Sequence, residues 1–331
     1  MRIAIASHFF HPSVGGTEEV AQLLADRFTE QGHEVKVITS TRLPNGGVEK
    51  ACPYEVVRHP GAMELWRVCQ WSEVVLHNNI SLQMAWPLLL LRRPWVVAHH
   101  IWTRRLNGRR GIRDRIKRFA IRFARNIAVS RALAADLPVE ARVIGNPYRD
   151  SVYFQRDTAE RIKPLLFVGR LVPGKGADLL IASLRILEAQ GISLALTVVG
   201  EGPERERLEE LSAGLPVDFV GRKSPEELAQ IFREHRILAV PSQCDETFGL
   251  VALEGIACGC LVIGSDDGGL PEVIGPCGRI FPRGDAGALA ALLAENRDAA
   301  AVPLHAEEHL NKYKADEVAG TYLKVLKEAI G

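Results

Sequence analysis

The sequence lacks an apolar stretch long enough to cross a bilayer. The longest candidate, residues 84–91, falls far short of the roughly 20 residues that a spanning helix needs, and Arg92 and Arg93 follow it. The first residues enter a strand-like apolar run with no cleavage site, so we expect no signal peptide. These absences predict a cytoplasmic protein, either free or attached peripherally to the inner face of the membrane.

Cysteine patterns for metal binding or redox chemistry are also missing. No two cysteines form a CxxC pair, and no Cys/His cluster has zinc spacing. We expect six buried, reduced thiols of a cytosolic protein. They are Cys52, Cys69, Cys244, Cys258, Cys260 and Cys277.

Two common nucleotide-binding loops are absent. The first connection, residues 8–16, offers only Gly15-Gly16 where a dinucleotide-binding fold has G-x-G-x-x-G, which makes a dehydrogenase a poor hypothesis. A second loop, residues 169–176, has no Ser or Thr after its Gly-Lys pair to hold magnesium, so it is not a Walker loop. Gly15-Gly16 still lets a phosphate approach backbone N–H groups, or is a plain turn.

What is present is an alternation of short apolar runs with helical patterns over 331 residues, which predicts two domains built from βαβ units around parallel sheets. The polar residues 146–157 predict the linker between them. Arg170 and Lys175 follow a predicted strand in a Gly-rich loop. Such cations suit phosphate oxygens, or are two solvated charges on a surface loop.

Charge is divided unevenly along the chain. Residues 1–150 hold 22 Lys and Arg against 13 Asp and Glu, whereas the remainder holds 19 against 27. A basic first half predicts an anionic surface or acceptor as a partner.

Most of the excess lies in residues 102–125, which contain one acid, Asp114, and ten cations. The cations are Arg104, Arg105, Arg109, Arg110, Arg113, Arg115, Lys117, Arg118, Arg122 and Arg125. Ile112, Ile116, Phe119 and Phe123 repeat at helical spacing, which predicts a helix over 111–125 whose apolar face packs on the core. The charge suits an anionic membrane surface. Nucleic acid ranks lower, because the second half is acidic and no nucleic-acid motif is present.

Histidines follow two predicted parallel strands, at His77 and at His99-His100. Ligands bind at the carboxyl ends of such strands. One histidine there usually caps a strand end, but two such ends favour a site.

Residues 240–274 carry the clearest functional pattern. Glu246 and Glu254 bracket the start of a helix predicted over 250–258. The opening N–H groups of a helix suit a diphosphate, and a carboxylate accepts from sugar or ribose hydroxyls. The alternative is a solvated helix face, but the glycines nearby indicate a close approach to the backbone. These glycines are Gly249, Gly255 and Gly259. Asp266-Asp267 is interpreted as a helix cap region.

Taken together, the motifs resemble the retaining glycosyltransferases of family 4, the "glycosyl transferases group 1" type. They are Gly15-Gly16, residues 167–176, 198–203 and 219–221, Pro241-Ser242, residues 246–254 and residues 268–272. The resemblance covers nearly the whole chain and is strongest over residues 164–281. Residues 146–150 depart from the Asn-Gly-Val-Asp pattern common at the interdomain linker of that family.

The resemblance implies a GT-B fold: two Rossmann-like domains facing a cleft, at residues 1–148 and 158–312, with a C-terminal helix, 313–331, crossing back to the first. It implies retaining transfer from a UDP- or GDP-sugar to a glycan or lipid-linked acceptor, without cofactor or metal, in cell-surface polysaccharide or glycolipid synthesis. Alternatives are an epimerase or sugar-phosphate synthase on the same fold, or a non-catalytic binding subunit.

The resemblance also assigns roles to single residues. His100 and Glu246 would contact the transferred sugar, Glu254 the ribose, and Arg170 and Lys175 the diphosphate. The donor phosphates would also meet Gly15, Gly16, Phe248, Gly249, Leu250 and Val251. Fixed cations and a helix N-terminus can stabilise the leaving phosphate in place of a metal. A covalent intermediate on Glu246 and a front-face mechanism both remain open, the resemblance favouring the second.

Overall fold

The structure is a computed structural model that describes residues 1–13, 15–43, 51–102, 111–155, 161–298 and 306–331. The chain divides into two compact units. The first unit contains Met1–Pro147 and Tyr313–Gly331, and the second contains Tyr148–Lys312. Over the described residues each unit has its own parallel sheet, so the prediction of two Rossmann-like parallel-sheet domains is confirmed.

The first unit is built on a sheet that has seven strands within the described residues, in the order β3-β2-β1-β4-β5-β6-β7. The strands are β1 (Arg2–Ser7), β2 (Glu34–Thr39), β3 (Glu55–Arg58), β4 (Val74–Asn78), β5 (Trp95–His99), β6 (Arg125–Ala128) and β7 (Arg142–Val143). The helices are α1 (Gly16–Glu30), α2 (Ala62–Trp71), α3 (Leu82–Leu91), α4 (Ile112–Ala120) and α5 (Arg131–Asp136), with a 3-10 turn at Ile121–Phe123.

The final helix of the chain, α13 (Ala315–Ile330), belongs to the first unit. Its buried stripe of Val318, Tyr322, Val325 and Leu326 recurs at three- and four-residue intervals. This stripe lets α13 pack against α1, β4 and β5. Residues from the two ends of the chain therefore share one hydrophobic core.

The basic helix α4 corrects one expectation. The apolar residues that share its face are exposed, with Ile112 at 72% and Phe123 at 64%, and within α4 only Ala120 is buried. Helical spacing shows which residues share a face but not which way that face turns. The helix also ends at Ala120, since β6 already begins at Arg125. Arg104, Arg105, Arg109 and Arg110 lie outside the described residues.

The second unit has a sheet of six strands in its described part, in the order β10-β9-β8-β11-β12-β13. The strands are β8 (Lys163–Val168), β9 (Leu196–Val199), β10 (Val217–Gly221), β11 (His235–Val240), β12 (Leu261–Ser265) and β13 (Gly278–Phe281). The helices are α6 (Ala177–Ala189), α7 (Arg205–Leu211), α8 (Pro225–Glu234), α9 (Leu250–Ala257), α10 (Leu270–Ile274), α11 (Ala286–Asn296) and α12 (Ala306–Asn311).

The strand order of the second unit creates a switch point. From β8 the chain continues to β9 on one side, whereas β11 pairs with β8 on the other. Connections that leave two neighbouring strands in opposite directions open a crevice at the carboxyl ends of those strands. The loops that follow β8 and β11 are the two that carry the predicted donor residues.

The predicted linker packs, in part, on the second unit. Tyr148 and Tyr153 are buried, and the guanidinium of the buried Arg233 donates to the carbonyls of Val152 and Phe154 at 2.8 and 2.9 Å. Residues 156–160 lie outside the described residues. The chain therefore joins the second unit well before β8.

Candidate functional site

The loops after β8 and β11 are tied together by backbone contacts. The carbonyl of Gly174 accepts from the N–H groups of Gln243 and Cys244, at 2.7 and 3.1 Å. Gly176 has φ +78°, and a Cβ there would lie 1.8 Å from the carbonyl oxygen of Pro241. A glycine is required here because one backbone packs directly on the other. The two loops form a single rigid edge.

Lys175 and Glu246 meet at this edge. Lys175 Nζ lies 2.6 Å from Glu246 Oε2, and Ser242 Oγ donates to the same oxygen at 3.3 Å. The two charged side chains are 28% and 17% exposed, so the pair is partly shielded from solvent while remaining accessible. A cation and a carboxylate that the sequence places 71 positions apart thus form one group.

The backbone of Glu246 is fixed from a third loop. Asp267 Oδ2 accepts from the Glu246 N–H at 3.1 Å, and the Gly269 N–H donates to the Glu246 carbonyl at 2.8 Å. The interpretation of Asp266-Asp267 as a helix cap region is therefore wrong, since α10 follows Gly269 and has no side-chain cap. The sequence shows a polar turn before a helix, but not that its carboxylate turns back toward the loop after β11.

Arg283 is a site residue that sequence reasoning missed. Its Nη1 lies 2.9 Å from Asp267 Oδ1 and 3.3 Å from Asp245 Oδ1, and its Nη2 donates to the carbonyl of Gln243. Burial raises the pKa of Asp267. The hydrogen bond from the Glu246 N–H and the charge of Arg283 oppose this effect, because both favour the ionised carboxylate. The only sequence signal for Arg283 is its position just after β13, at the same edge of the sheet.

Helix α9 starts directly behind this group. Gly249 precedes it with φ +100°, a left-handed conformation that suits glycine. The opening N–H groups of α9, at Leu250 and Val251, have no acceptor within the helix. Glu254, one turn in, is 8% exposed, which rules out the solvated face. Phe248 is buried beside Gly249.

Arg170 lies on the loop after β8 and is exposed. No carboxylate in the described part of the chain comes within ion-pair distance of it, unlike Lys175. The sequence predicts both cations as phosphate ligands. In the structure Lys175 is paired with a carboxylate, whereas Arg170 is exposed to solvent.

In the first unit, His100 follows β5 and is buried. Its Nδ1 lies 2.9 Å from Asn146 Oδ1, and its backbone N–H donates to Asn79 Oδ1 at 2.7 Å. Burial lowers the pKa of His100 to about 4, so the ring is neutral at pH 7. Since Asn146 accepts from Nδ1, Nε2 keeps a free lone pair, and it is buried without a partner among the described residues.

The other two predicted histidines are held by the core. Trp95 Nε1 donates to His77 Nδ1 at 2.8 Å, and His99 Nε2 lies 2.9 Å from Asn126 Oδ1. Burial lowers the pKa of both, to about 3 for His77. Nε2 of His77 is also buried without a partner within the described residues, but it carries the ring proton, whereas Nε2 of His100 has a free lone pair.

Gly15 and Gly16 stand at the start of α1. Gly16 is the first helical residue, and Gly15 caps the helix in an extended conformation. A Cβ on Gly15 would lie 2.6 Å from Glu18 Oε2, so the pair also makes room for a neighbouring side chain.

No helix within the described residues combines the length and hydropathy that spanning a bilayer requires. No group of three or more His, Cys, Asp and Glu side chains there has metal-binding geometry. All six cysteines are free; four are buried as expected, whereas Cys52 and Cys244 are partly exposed.

Comparison with known proteins identifies the second unit. Residues 152–299 match the family described as glycosyl transferases group 1. The match covers less than half of the chain, which is similar to that family over its second unit. Its curated relatives include the GDP-mannose-dependent alpha-(1-6)-phosphatidylinositol dimannoside mannosyltransferase of Mycobacterium tuberculosis. That protein is 39% identical over 110 residues, which are 33% of this chain and 29% of the relative. In the first curated relatives, the matched region spans less than half of the relative's length.

Solved structures match this chain over almost its full length. Sucrose-phosphate synthase from Thermosynechococcus elongatus has a TM-score of 0.81 and 21% identity, covering 99% of this chain and 98% of that one. Anabaena HepE in complex with UDP has a TM-score of 0.79 and 18% identity, covering 99% and 100%. At these identities the likeness establishes the GT-B fold class and nothing finer.

Proposed function

We propose that this chain is a retaining glycosyltransferase that moves a sugar from a UDP- or GDP-sugar to a glycan or lipid-linked acceptor, in cell-surface polysaccharide or glycolipid synthesis. The observation that carries the proposal is the pair of Lys175 and Glu246 in front of α9. A cation, a carboxylate and a helix N-terminus are the three groups that a sugar diphosphate needs.

The donor diphosphate would bind between Lys175 and the opening N–H groups of α9, and Arg170 would reach it from the loop after β8. Phe248, Gly249, Leu250 and Val251 form the start of that helix. Glu254, buried on the same helix, would accept from the ribose hydroxyls. The UDP and GDP-mannose in the names of related proteins support this class of donor.

Glu246 would change partner when the donor binds. Without a donor its Oε2 neutralises Lys175. A diphosphate competes for that ammonium, and the released carboxylate can then accept from hydroxyls of the transferred sugar. Asp267 and Arg283 keep the backbone of Glu246 in place during the exchange.

The first unit would contribute His100, Gly15 and Gly16. The free lone pair of His100 Nε2 suits a sugar hydroxyl, and the start of α1 at Gly16 suits a phosphate. These roles follow the resemblance to the family.

The chemistry needs negative charge to be stabilised on the leaving phosphate. We propose that Lys175, Arg170 and the α9 N-terminus together stabilise this charge and so replace a divalent metal. Retention would follow a front-face path, in which the leaving phosphate helps to deprotonate the acceptor. A covalent path through Glu246 is the alternative.

A sugar-phosphate synthase is the second candidate. The excess of cations in residues 1–150 suits a phosphorylated acceptor as well as a lipid-linked one. Sucrose-phosphate synthase also shares the fold over the full chain. We propose the cytoplasm as the place of action in either case, because nucleotide-sugars are made there.

Product analysis tests the proposal. The full chain is incubated with UDP- and GDP-sugars and with lipid-linked, glycan and sugar-phosphate acceptors, with EDTA present. We expect a new glycosidic bond of the donor's anomeric configuration, lost in Glu246→Gln and kept in Glu234→Gln. Epimerised donor without transfer, or binding without turnover, would reject the proposal.

A further inference from the structure

The first unit carries an apolar stripe that faces solvent. Ile112, Ile116, Phe119 and Phe123 lie on one side of α4 and the turn after it, and all four are exposed. The rings of Phe119 and Phe123 pack edge to face, with their centroids 5.5 Å apart. Single exposed apolar residues are ordinary, but a contiguous stripe marks an interaction surface.

Cations flank this stripe on both sides. Helical spacing places Arg115 and Arg122 along one side of it and Arg113 along the other. In the described part of the chain no carboxylate lies within ion-pair distance of these three, and Arg122 lies 6.0 Å from the ring of Phe119. Asp114 is occupied in capping the helix, where it accepts from the Gly111 N–H at 2.8 Å.

The end of α4 is fixed to the unit. Arg118, which lies outside the apolar stripe, donates to the Asp136 carbonyl at 2.8 Å, and Ala120 and Ile121 are buried. The outward direction of the apolar stripe is therefore set by the bond of Arg118 and by the burial of the end of the helix.

A second apolar patch lies on α2 and α3. Met63, Trp86, Leu89 and Leu90 are exposed, and Leu90 reaches 67%. Trp66 of α2 stacks on Trp86 of α3 with ring centroids 6.0 Å apart. Two arginines border this patch in sequence as well, at Arg67 and Arg92.

Topology places the two patches on the same face of the sheet. The connections that contain α2, α3 and α4 all advance in one direction through the strand order, from β3 to β4, β5 and β6. Right-handed crossovers, which almost all such connections have, put three such helices on one side. Helices α1 and α13, which pack together, cover the other side.

We infer that the α2–α3–α4 face docks on an anionic lipid bilayer. Aromatic side chains favour the interface between water and lipid, and a helix with phenylalanine on one side and arginine along its flanks lies in that interface. Nucleic acid would use the cations but leave both apolar patches in water. A second copy of the chain would bring like charges together across a two-fold axis. This surface lies outside the proposed donor residues, so its test does not depend on transfer activity.

The test is flotation of the full chain with vesicles of phosphatidylcholine alone or with added phosphatidylglycerol. We expect binding to the anionic vesicles at low salt, weakened at high salt. The double variant Phe119→Ser, Phe123→Ser should lower the partition coefficient by about tenfold or more. The control is Ile162→Ser, which removes an equally exposed apolar residue, at 66%, from the second unit.

A second pair of double variants separates the contribution of the arginine charges from that of the apolar stripe. Arg113→Gln with Arg115→Gln should reduce binding to anionic vesicles and its salt dependence, whereas Lys324→Gln with Lys327→Gln, on the exposed side of α13, should not. Circular dichroism checks that each variant is folded. The inference is overturned if the folded protein does not bind anionic vesicles at low salt, or binds equally well without Phe119 and Phe123. It is also overturned if these variants instead dissociate a dimer.

Discussion

Replacing Glu246 by glutamine should tighten the binding of a free nucleoside diphosphate while abolishing sugar transfer. Lys175 Nζ lies 2.6 Å from Glu246 Oε2, so the carboxylate competes with a phosphate for the same ammonium. A neutral amide competes more weakly, because the bond to Lys175 is no longer charge-assisted. The substitution therefore removes a competitor for the phosphate and, at the same time, the group proposed to bind the transferred sugar.

The size of the gain follows from the exposure of the pair. At 28% and 17% exposed, these side chains lie between a surface pair, worth about 0–1 kcal/mol, and a buried pair, whose disruption costs about 3–5 kcal/mol. Solvent screening places the coupling near the lower end, at about 1 kcal/mol. If the diphosphate breaks the pair, the Kd for UDP or GDP should fall by about fivefold in Glu246→Gln.

Titration calorimetry with UDP and GDP measures this effect. Glu234→Gln is the matched control, because Glu234 pairs with Lys163 at 3.1 Å at the opposite end of β8. It should leave both the Kd and the transfer rate unchanged. If Glu246→Gln binds the nucleotide no more tightly than the wild type, Lys175 does not exchange a carboxylate for a phosphate, and the reasoning is refuted.

Three further predictions concern the support of the site. Asp267→Asn should lower the free energy of unfolding by about 1–2 kcal/mol and weaken donor binding, because the side chain loses its contact with either the Glu246 N–H or Arg283. Thermal unfolding measures the change, and Asp266→Asn, at an exposed position, should lower the free energy of unfolding by less than half as much. Gly176→Ala should lower the Tm far more than Gly191→Ala: both have positive φ, but only the first places a Cβ against backbone. For His100, the pKa is about 4 in the folded chain against an ordinary value of 6.5, so the unfolded state binds more protons between these limits. This histidine should therefore make stability fall by about 3 kcal/mol as the pH drops from 6.5 to 4, and a stability–pH curve unchanged in His100→Gln would contradict that.

The parallel sheets could be predicted from the sequence because their strands are short, apolar and regularly spaced. That regularity also placed Lys175 and Glu246 in loops that follow strands. Their direct contact was not predictable from spacing, because it depends on β8 and β11 being neighbours across the switch point. Strand order is a property of the whole sheet rather than of either segment.

The two misinterpretations have one physical origin. Periodicity assigned the apolar face of α4 to the core, and turn chemistry assigned Asp267 to a helix cap. The structure instead turns that face to solvent and turns the Asp267 carboxylate toward Glu246. In both cases the local pattern fixes the conformation of the segment, while its neighbours decide what each side chain meets. Arg283 shows the same limit, since its partners come from two other loops.

Thermal unfolding of the full chain with UDP, GDP and their sugar conjugates, in EDTA, tests the central claim most directly. We expect one nucleotide and its sugar conjugate to stabilise the protein, by about 2.7 kcal/mol at about 100 times the Kd. Lys175→Met should remove most of this stabilisation, and Lys163→Met should retain it. The account is contradicted if none of these nucleotides stabilises the folded protein, or if the two lysine variants lose the effect equally.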